Sequence, residues 1–159
     1  MSLILFLPAS QAMAQDRVGG HVGAVFPLIT RANGETIDIG DDFKVGFPIG
    51  ITIKKTDTVA FDLELVPVLD VNDNGPINVP LTIHPGILRH LGGSWTGGLR
   101  MAFDIGNASW GFTPLINRGF PSGDYTYFLE LVVPIRFQDD SAGDSHTSVG
   151  LGVHVGVGF

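Results

Sequence analysis

Apolar residues recur at every second position along most of this chain, and a period of two admits a β-strand while excluding a helix, whose faces repeat every 3.6 residues or so. The clearest run places Phe43, Val45, Phe47, Ile49, Ile51 and Ile53 on one face against Lys44, Gly46, Pro48, Gly50, Thr52 and Lys54 on the other. Val59, Phe61, Leu63 and Leu65 then oppose Ala60, Asp62 and Glu64, with Lys55-Thr56-Asp57-Thr58 as the hairpin between the two runs. Tyr125, Tyr127, Leu129, Leu131, Val133, Ile135 and Phe137 oppose Thr126, Phe128, Glu130, Val132, Pro134 and Arg136. The last run sets Val149, Leu151, Val153, Val155, Val157 and Phe159 against Ser148, Gly150, Gly152, His154, Gly156 and Gly158.

Val18 to Thr30, Ile77 to Leu88, Trp95 to Gly106 and Ala108 to Asn117 fit the same template and bring the expectation to about eight strands. Pro80 and Pro85 are tolerated there only at special positions, because each lacks a ladder donor. Connections then sort to two ends. Arg31 to Asp41, Asp70 to Pro76, Gly106-Asn107 and Gln138 to His146 fall on one end, and Lys55 to Thr58, Arg89 to Ser94 and Arg118 to Asp124 on the other.

Composition narrows what such a sheet faces. Only 16% of the 159 residues are charged, against roughly a quarter in soluble domains, and mean hydropathy is positive. No run after the first fifteen positions approaches the roughly 20 apolar residues of a membrane-crossing helix. The structure that satisfies its backbone within lipid by strands alone is the closed β-barrel. Alternation is shared with a soluble lipocalin-like barrel or sandwich, so the second face has to discriminate. That face is dominated by glycine, including Gly19, Gly23, Gly46, Gly50, Gly150 and Gly152, which suits the tight interior of an eight-stranded closure.

Parity sends eight charges inward: Lys44, Lys54, Arg100 and Arg136 against Asp62, Glu64, Asp104 and Glu130. Enclosed ions are costly unless paired, and the equal numbers of the two signs predict a polar plug holding the barrel shut. His21, His84 and His154 also fall inward and read as hydrogen-bonded core histidines. Setting the eight aside leaves five basic and twelve acidic residues, so the rest of the molecule carries the whole net charge of -7. Much of it is at the longer-loop end, in Glu35, Asp38, Asp41, Asp42, Asp70, Asp73, Asp139, Asp140 and Asp144. This acidity argues against a nucleic-acid partner, which needs a clustered basic surface.

Leu3 to Pro8 followed by Ala12-Met13-Ala14 has the form of an export signal, which assigns residues 1–14 to a signal peptide and 15–159 to the barrel domain. The absence of cysteine excludes disulfides and thiolate metal sites. Asp70-Val71-Asn72-Asp73-Asn74-Gly75 matches the opening half of a calcium loop, with Asp70, Asn72 and Asn74 as the candidate ligands, but Leu81 stands where the closing glutamate belongs. His146 and Ser148 share a strand side, as in outer-membrane lipid A deacylases, yet no carboxylate completes the set.

The export signal, the alternating segments and the terminal Val155-Gly156-Val157-Gly158-Phe159 together resemble the OmpA/OmpX-like small outer-membrane barrels. That resemblance implies an all-β, closed antiparallel up-and-down transmembrane β-barrel of about eight strands. It also implies residence in the bacterial outer membrane, with Val155, Val157 and Phe159 as the signal read by the barrel-assembly machinery. The expected protein is a monomer without enzymatic activity or cofactor, surrounded by outer-membrane lipid and lipopolysaccharide, with a structural or surface-interaction role. A narrow channel, a lipid A-modifying enzyme and a soluble exported barrel are the competing readings.

Overall fold

A computed structural model describes residues 17–70, 79–106, 109–139 and 145–159. The expected signal peptide at 1–14, and Asn72, Asn74 and Ala108, lie outside the described residues. Among the described residues the strands in chain order are β1 (Val18–Ala32), β2 (Glu35–Asp38), β3 (Lys44–Gly46), β4 (Ile49–Lys54), β5 (Val59–Asp70), β6 (Leu81–Gly92), β7 (Trp95–Ile105), β8 (Ser109–Ser122), β9 (Tyr125–Val132), β10 (Ile135–Asp139) and β11 (Ser145–Gly158).

These strands make one antiparallel ring of eight staves. β2, β3 and β4 follow one another along β1 as the second stave, and β9 and β10 together form the seventh. β11 closes the ring on β1 from His21↔Gly158 to Ala32↔Ser148. The seam ends on a reciprocal pair in which Gly20 N–H donates to the Phe159 carbonyl at 2.8 Å and Phe159 N–H to that of Gly20 at 2.9 Å. Every strand but β2, which pairs with β1 alone, is paired on both sides, so among the described residues no long edge is left to recruit another chain.

Proline sets where the staves break. Pro48 and Pro134 interrupt the second and seventh staves, so the run expected from Tyr125 to Phe137 is two strands rather than one. Each proline still accepts with its carbonyl, from Gly23 N–H at 3.0 Å and Gly150 N–H at 2.8 Å respectively. Pro85 pairs with Leu63 on one side, while the ladder to β7 skips from Ile83↔Phe103 to Gly86↔Arg100 on the other. Pro80 precedes β6 and accepts from Val68 N–H at 2.9 Å.

Three connections are tighter than their polar sequences suggested. β6 and β7 are joined by Gly93-Ser94 alone, and β8 and β9 by Gly123-Asp124. Gly93 (φ 56°) and Gly123 (φ 62°) supply the left-handed backbone such turns need, so the flanking polar residues of 89–92 and 118–122 extend the strands. At the other end, Asn33 (φ 53°) and Gly34 (φ 84°) make a primed turn, and the segment expected as an open loop pairs back on β1 as β2.

The faces of the ring are inverted relative to a water-soluble protein. Ile49, Ile51, Phe61, Leu63, Leu65, Ile87, Leu99, Leu129, Leu131 and Leu151 are exposed on the outside, while Asp62, Glu64, Arg100, Glu130 and His154 are buried within. Aromatic residues gather toward both rims: Trp95, Phe120, Tyr125 and Tyr127 near the tight turns, and Phe43, Phe47, Phe103 and Trp110 near the opposite end. Arg118 stacks its guanidinium over Trp95 and Phe120 at 5.4 and 5.3 Å, a cation–π arrangement that keeps an outward cation beside the aromatic belt.

Candidate functional site, a charged chamber in the barrel

Register assembles the chamber. His21 on β1 lies level with Gly50 on β4, Gly50 with Glu64 on β5, and Glu64 with His84 on β6. A neighbouring level runs Thr52, Asp62, Gly86, Arg100 and Thr113 across β4 to β8, and a third runs Asn117, Glu130 and His154 across β8, β9 and β11. The glycines are what let side chains cross a stave. A Cβ on Gly50 would run into the His21 imidazole, and one on Gly86 would lie 2.6 Å from Arg100 Cγ. His21 thus reaches Glu64 over Gly50, and Arg100 reaches Asp62 over Gly86.

Arg100 is the hub, 3% exposed. Its Nε donates to Asp62 Oδ2 at 2.8 Å, its Nη1 to Glu130 Oε1 at 2.7 Å, and its Nη2 lies 3.5 Å from Glu64 Oε2. Thr52 Oγ1 donates to Asp62 Oδ1 at 2.7 Å, and Asn117 Nδ2 to Glu130 Oε2 at 3.3 Å. His21 Nε2 is 3.0 Å from Glu64 Oε2, His84 Nδ1 3.2 Å from Glu64 Oε1, and His154 Nδ1 3.1 Å from Glu130 Oε1. His154 rests edge-on against Phe128, with ring centroids 4.8 Å apart. Its Nε2 is buried without a hydrogen-bond partner.

A second group sits toward the loop end. Arg136 Nε is 3.3 Å from Asp104 Oδ2, and Arg136 Nη1 donates to Thr113 Oγ1 at 3.1 Å. Thr82 Oγ1 donates to Asp104 Oδ1 at 2.5 Å, and Ser109 also bonds to this carboxylate. The two groups are linked because Arg136 Nη2 approaches His84 Nε2 at 3.1 Å. A guanidinium only donates, so this nitrogen accepts and the ring proton stays on Nδ1, directed at Glu64.

The eight inward charges read from the sequence do not form one network. Across the barrel Arg100 takes Asp62 and Glu130, and Arg136 takes Asp104. Lys44 stands apart near the loop end, 2.9 Å from Asp42 and 3.1 Å from Asp70. Lys54 is exposed and makes no ion pair among the described residues. His146 Nδ1 lies 3.0 Å from Asn33 Oδ1 at the rim, away from the chamber. Of the calcium half-motif only Asp70 is described, and it pairs with Lys44. Phe159 lays its ring across Gly20 on the outer face, a Cβ on that glycine being 2.7 Å from the ring.

One water-accessible cavity of about 350 Å³ opens at the tight-turn end and stops at the chamber, lined among others by Thr52, Lys54, Thr126, Asn117, His21 and Asp62. Beside the Arg136–Asp104 group, Val25, Val66 and Val68 close around Gly46, and Val132 packs on Gly152. The result is a closed antiparallel barrel with a vestibule at the tight-turn end, a chamber of paired ions and, toward the loop end, a second ion group flanked by valines.

No protein-family model and no curated protein matches the chain. Among solved structures it is similar to the outer membrane protein OprG from Pseudomonas aeruginosa, with 11% sequence identity and a TM-score of 0.48 over 89% of this chain and 94% of that one. The ring itself bears out the antiparallel barrel expected from the sequence, and no particular family is assigned.

Proposed function

We propose that the chain is an integral outer-membrane β-barrel with a plugged lumen and a structural or surface-interaction role. The observation that carries this reading is the inversion of its faces. Large apolar side chains are exposed all around the ring while four ionised carboxylate or guanidinium side chains are almost wholly enclosed. Water gives no reason to arrange a ring this way, whereas lipid demands it. The aromatic residues at both rims suit the two membrane interfaces. Lipid and lipopolysaccharide are the surrounding partners in this reading, the barrel-assembly machinery acts during insertion, and no catalytic role is assigned.

A narrow channel is the second reading, favoured by the vestibule of about 350 Å³. The two groups of paired ions, with the valines beside them, oppose conduction, because a permeating ion has to displace those pairs. Fractionation after expression is expected to put the protein in the outer membrane with heat-modifiable gel mobility, and recovery in the soluble fraction without detergent refutes the membrane reading. Purified protein in planar bilayers is expected to show no resolved conductance steps.

A further inference from the structure

We propose that the chamber binds one divalent transition-metal ion through His21, Asp62 and Glu64. One imidazole nitrogen and one oxygen from each carboxylate lie within 4.8 Å of one another. Zinc-type ions hold such ligands at about 2.0–2.2 Å, which places ligand atoms roughly 3.4 Å apart in a tetrahedral set. His21 Nε2 and Glu64 Oε2 are already 3.0 Å apart, so closing on an ion needs small side-chain rotations and no strand movement. An imidazole with two carboxylates suits a borderline first-row ion rather than calcium or magnesium, which favour all-oxygen shells.

The groups around these ligands behave as an orienting shell. Thr52 and Arg100 each hold one oxygen of Asp62, at 2.7 and 2.8 Å, leaving a lone pair on each. His84, itself in contact with Arg136, lies at Glu64 Oε1, while Glu64 Oε2 is 3.0 Å from His21 Nε2 and 3.5 Å from Arg100 Nη2. Gly50 confines the His21 ring, since any side chain there would occupy its place. Outer partners of this sort set ligand direction in metal sites and contribute about 10–100-fold to affinity.

Charge gives an independent reason. Inside the barrel Asp62, Glu64, Asp104 and Glu130 are set against Arg100 and Arg136, four carboxylates to two guanidiniums. Enclosed charge of this size is costly, and one divalent cation cancels it without removing Arg100. The route in exists as well, because His21 and Asp62 line the vestibule that opens at the tight-turn end.

The test is titration of the full chain, refolded in detergent micelles, with Zn²⁺ by calorimetry and with Co²⁺ by visible absorption. One ion per barrel is expected, with a micromolar or tighter Kd. His21→Ala is expected to weaken binding at least tenfold, and His146→Ala at the rim to leave it unchanged. No saturable binding by the wild type, equal affinity in His21→Ala, or loss in His146→Ala instead would each overturn the proposal. If His21→Ala does not refold, X-ray absorption of the Zn²⁺-loaded wild type decides: one imidazole with oxygen ligands supports the site, and a shell of oxygen alone refutes it.

Discussion

Replacing Arg100 with methionine isolates what the ion cluster contributes. The methionine stem keeps the packing that Arg100 makes on Gly86, while the guanidinium and its three carboxylate partners at 2.7, 2.8 and 3.5 Å are lost. Asp62, Glu64 and Glu130 are 0%, 2% and 2% exposed, so each loses its cation while still largely enclosed at the inner end of the vestibule. Removing one partner of a buried pair costs about 3–5 kcal/mol, chiefly through the charge left behind. Against a total stability of about 5–15 kcal/mol and a urea m-value near 2 kcal/mol/M, the unfolding midpoint in detergent or lipid is expected to fall by roughly 2 M. Arg100→Met/Glu130→Gln removes one anion along with the cation, and coupling between contacting residues of about 0.5–3 kcal/mol predicts partial recovery of the midpoint. A single variant within about 0.3 M of wild type, or a double variant below the single one, would refute the view that Arg100 holds the chamber together.

Leu63→Arg tests the outer face: Leu63 lies between the enclosed Asp62 and Glu64 but points out, so arginine there is expected to cost about 2–4 kcal/mol in a bilayer and within about 0.5 kcal/mol if the face met water. Urea unfolding in vesicles measures the difference. Gly111→Ala drives a Cβ into the backbone carbonyl of Ile135, which cannot rotate aside, and is expected to destabilise by about 1–3 kcal/mol, read as a lower melting point of the folded band on cold gels. Phe159→Ala removes the ring that crosses Gly20 at the β1–β11 seam and is expected to lower the folded fraction in the outer membrane. Wild-type levels of folded variant would show that the ring does not stabilise the seam.

Most of the architecture was legible because period-two patterning states which face of a strand is apolar without reference to any neighbour. Strand number, the antiparallel order and the inward direction of Asp62, Glu64, Arg100 and Glu130 follow from it. Breaks were less legible: Pro48 and Pro134 removed ladder donors in runs whose hydrophobic pattern was unbroken. The Asn33-Gly34 turn carried a strong short hairpin signal, and its polar surroundings concealed β2. The aromatic rims were also present in the residue types, but their grouping depends on how far each strand is shifted against the next.

The ion pairs were not legible, and for the same reason. Parity assigns Arg100, Asp104, Glu130 and Arg136 to the interior, but a partner is chosen by register. A strand shifted by two residues keeps its faces while exchanging every cross-strand neighbour. Only the closed ring brought Arg100 across Gly86 to Asp62 and His21 across Gly50 to Glu64. The sequence by itself determined a strand ring with an apolar outside and a small, charged inside, since alternation is a local property of the chain. The tertiary structure decided which ions meet and which histidine reaches which carboxylate, because those depend on distances across staves that no local pattern encodes.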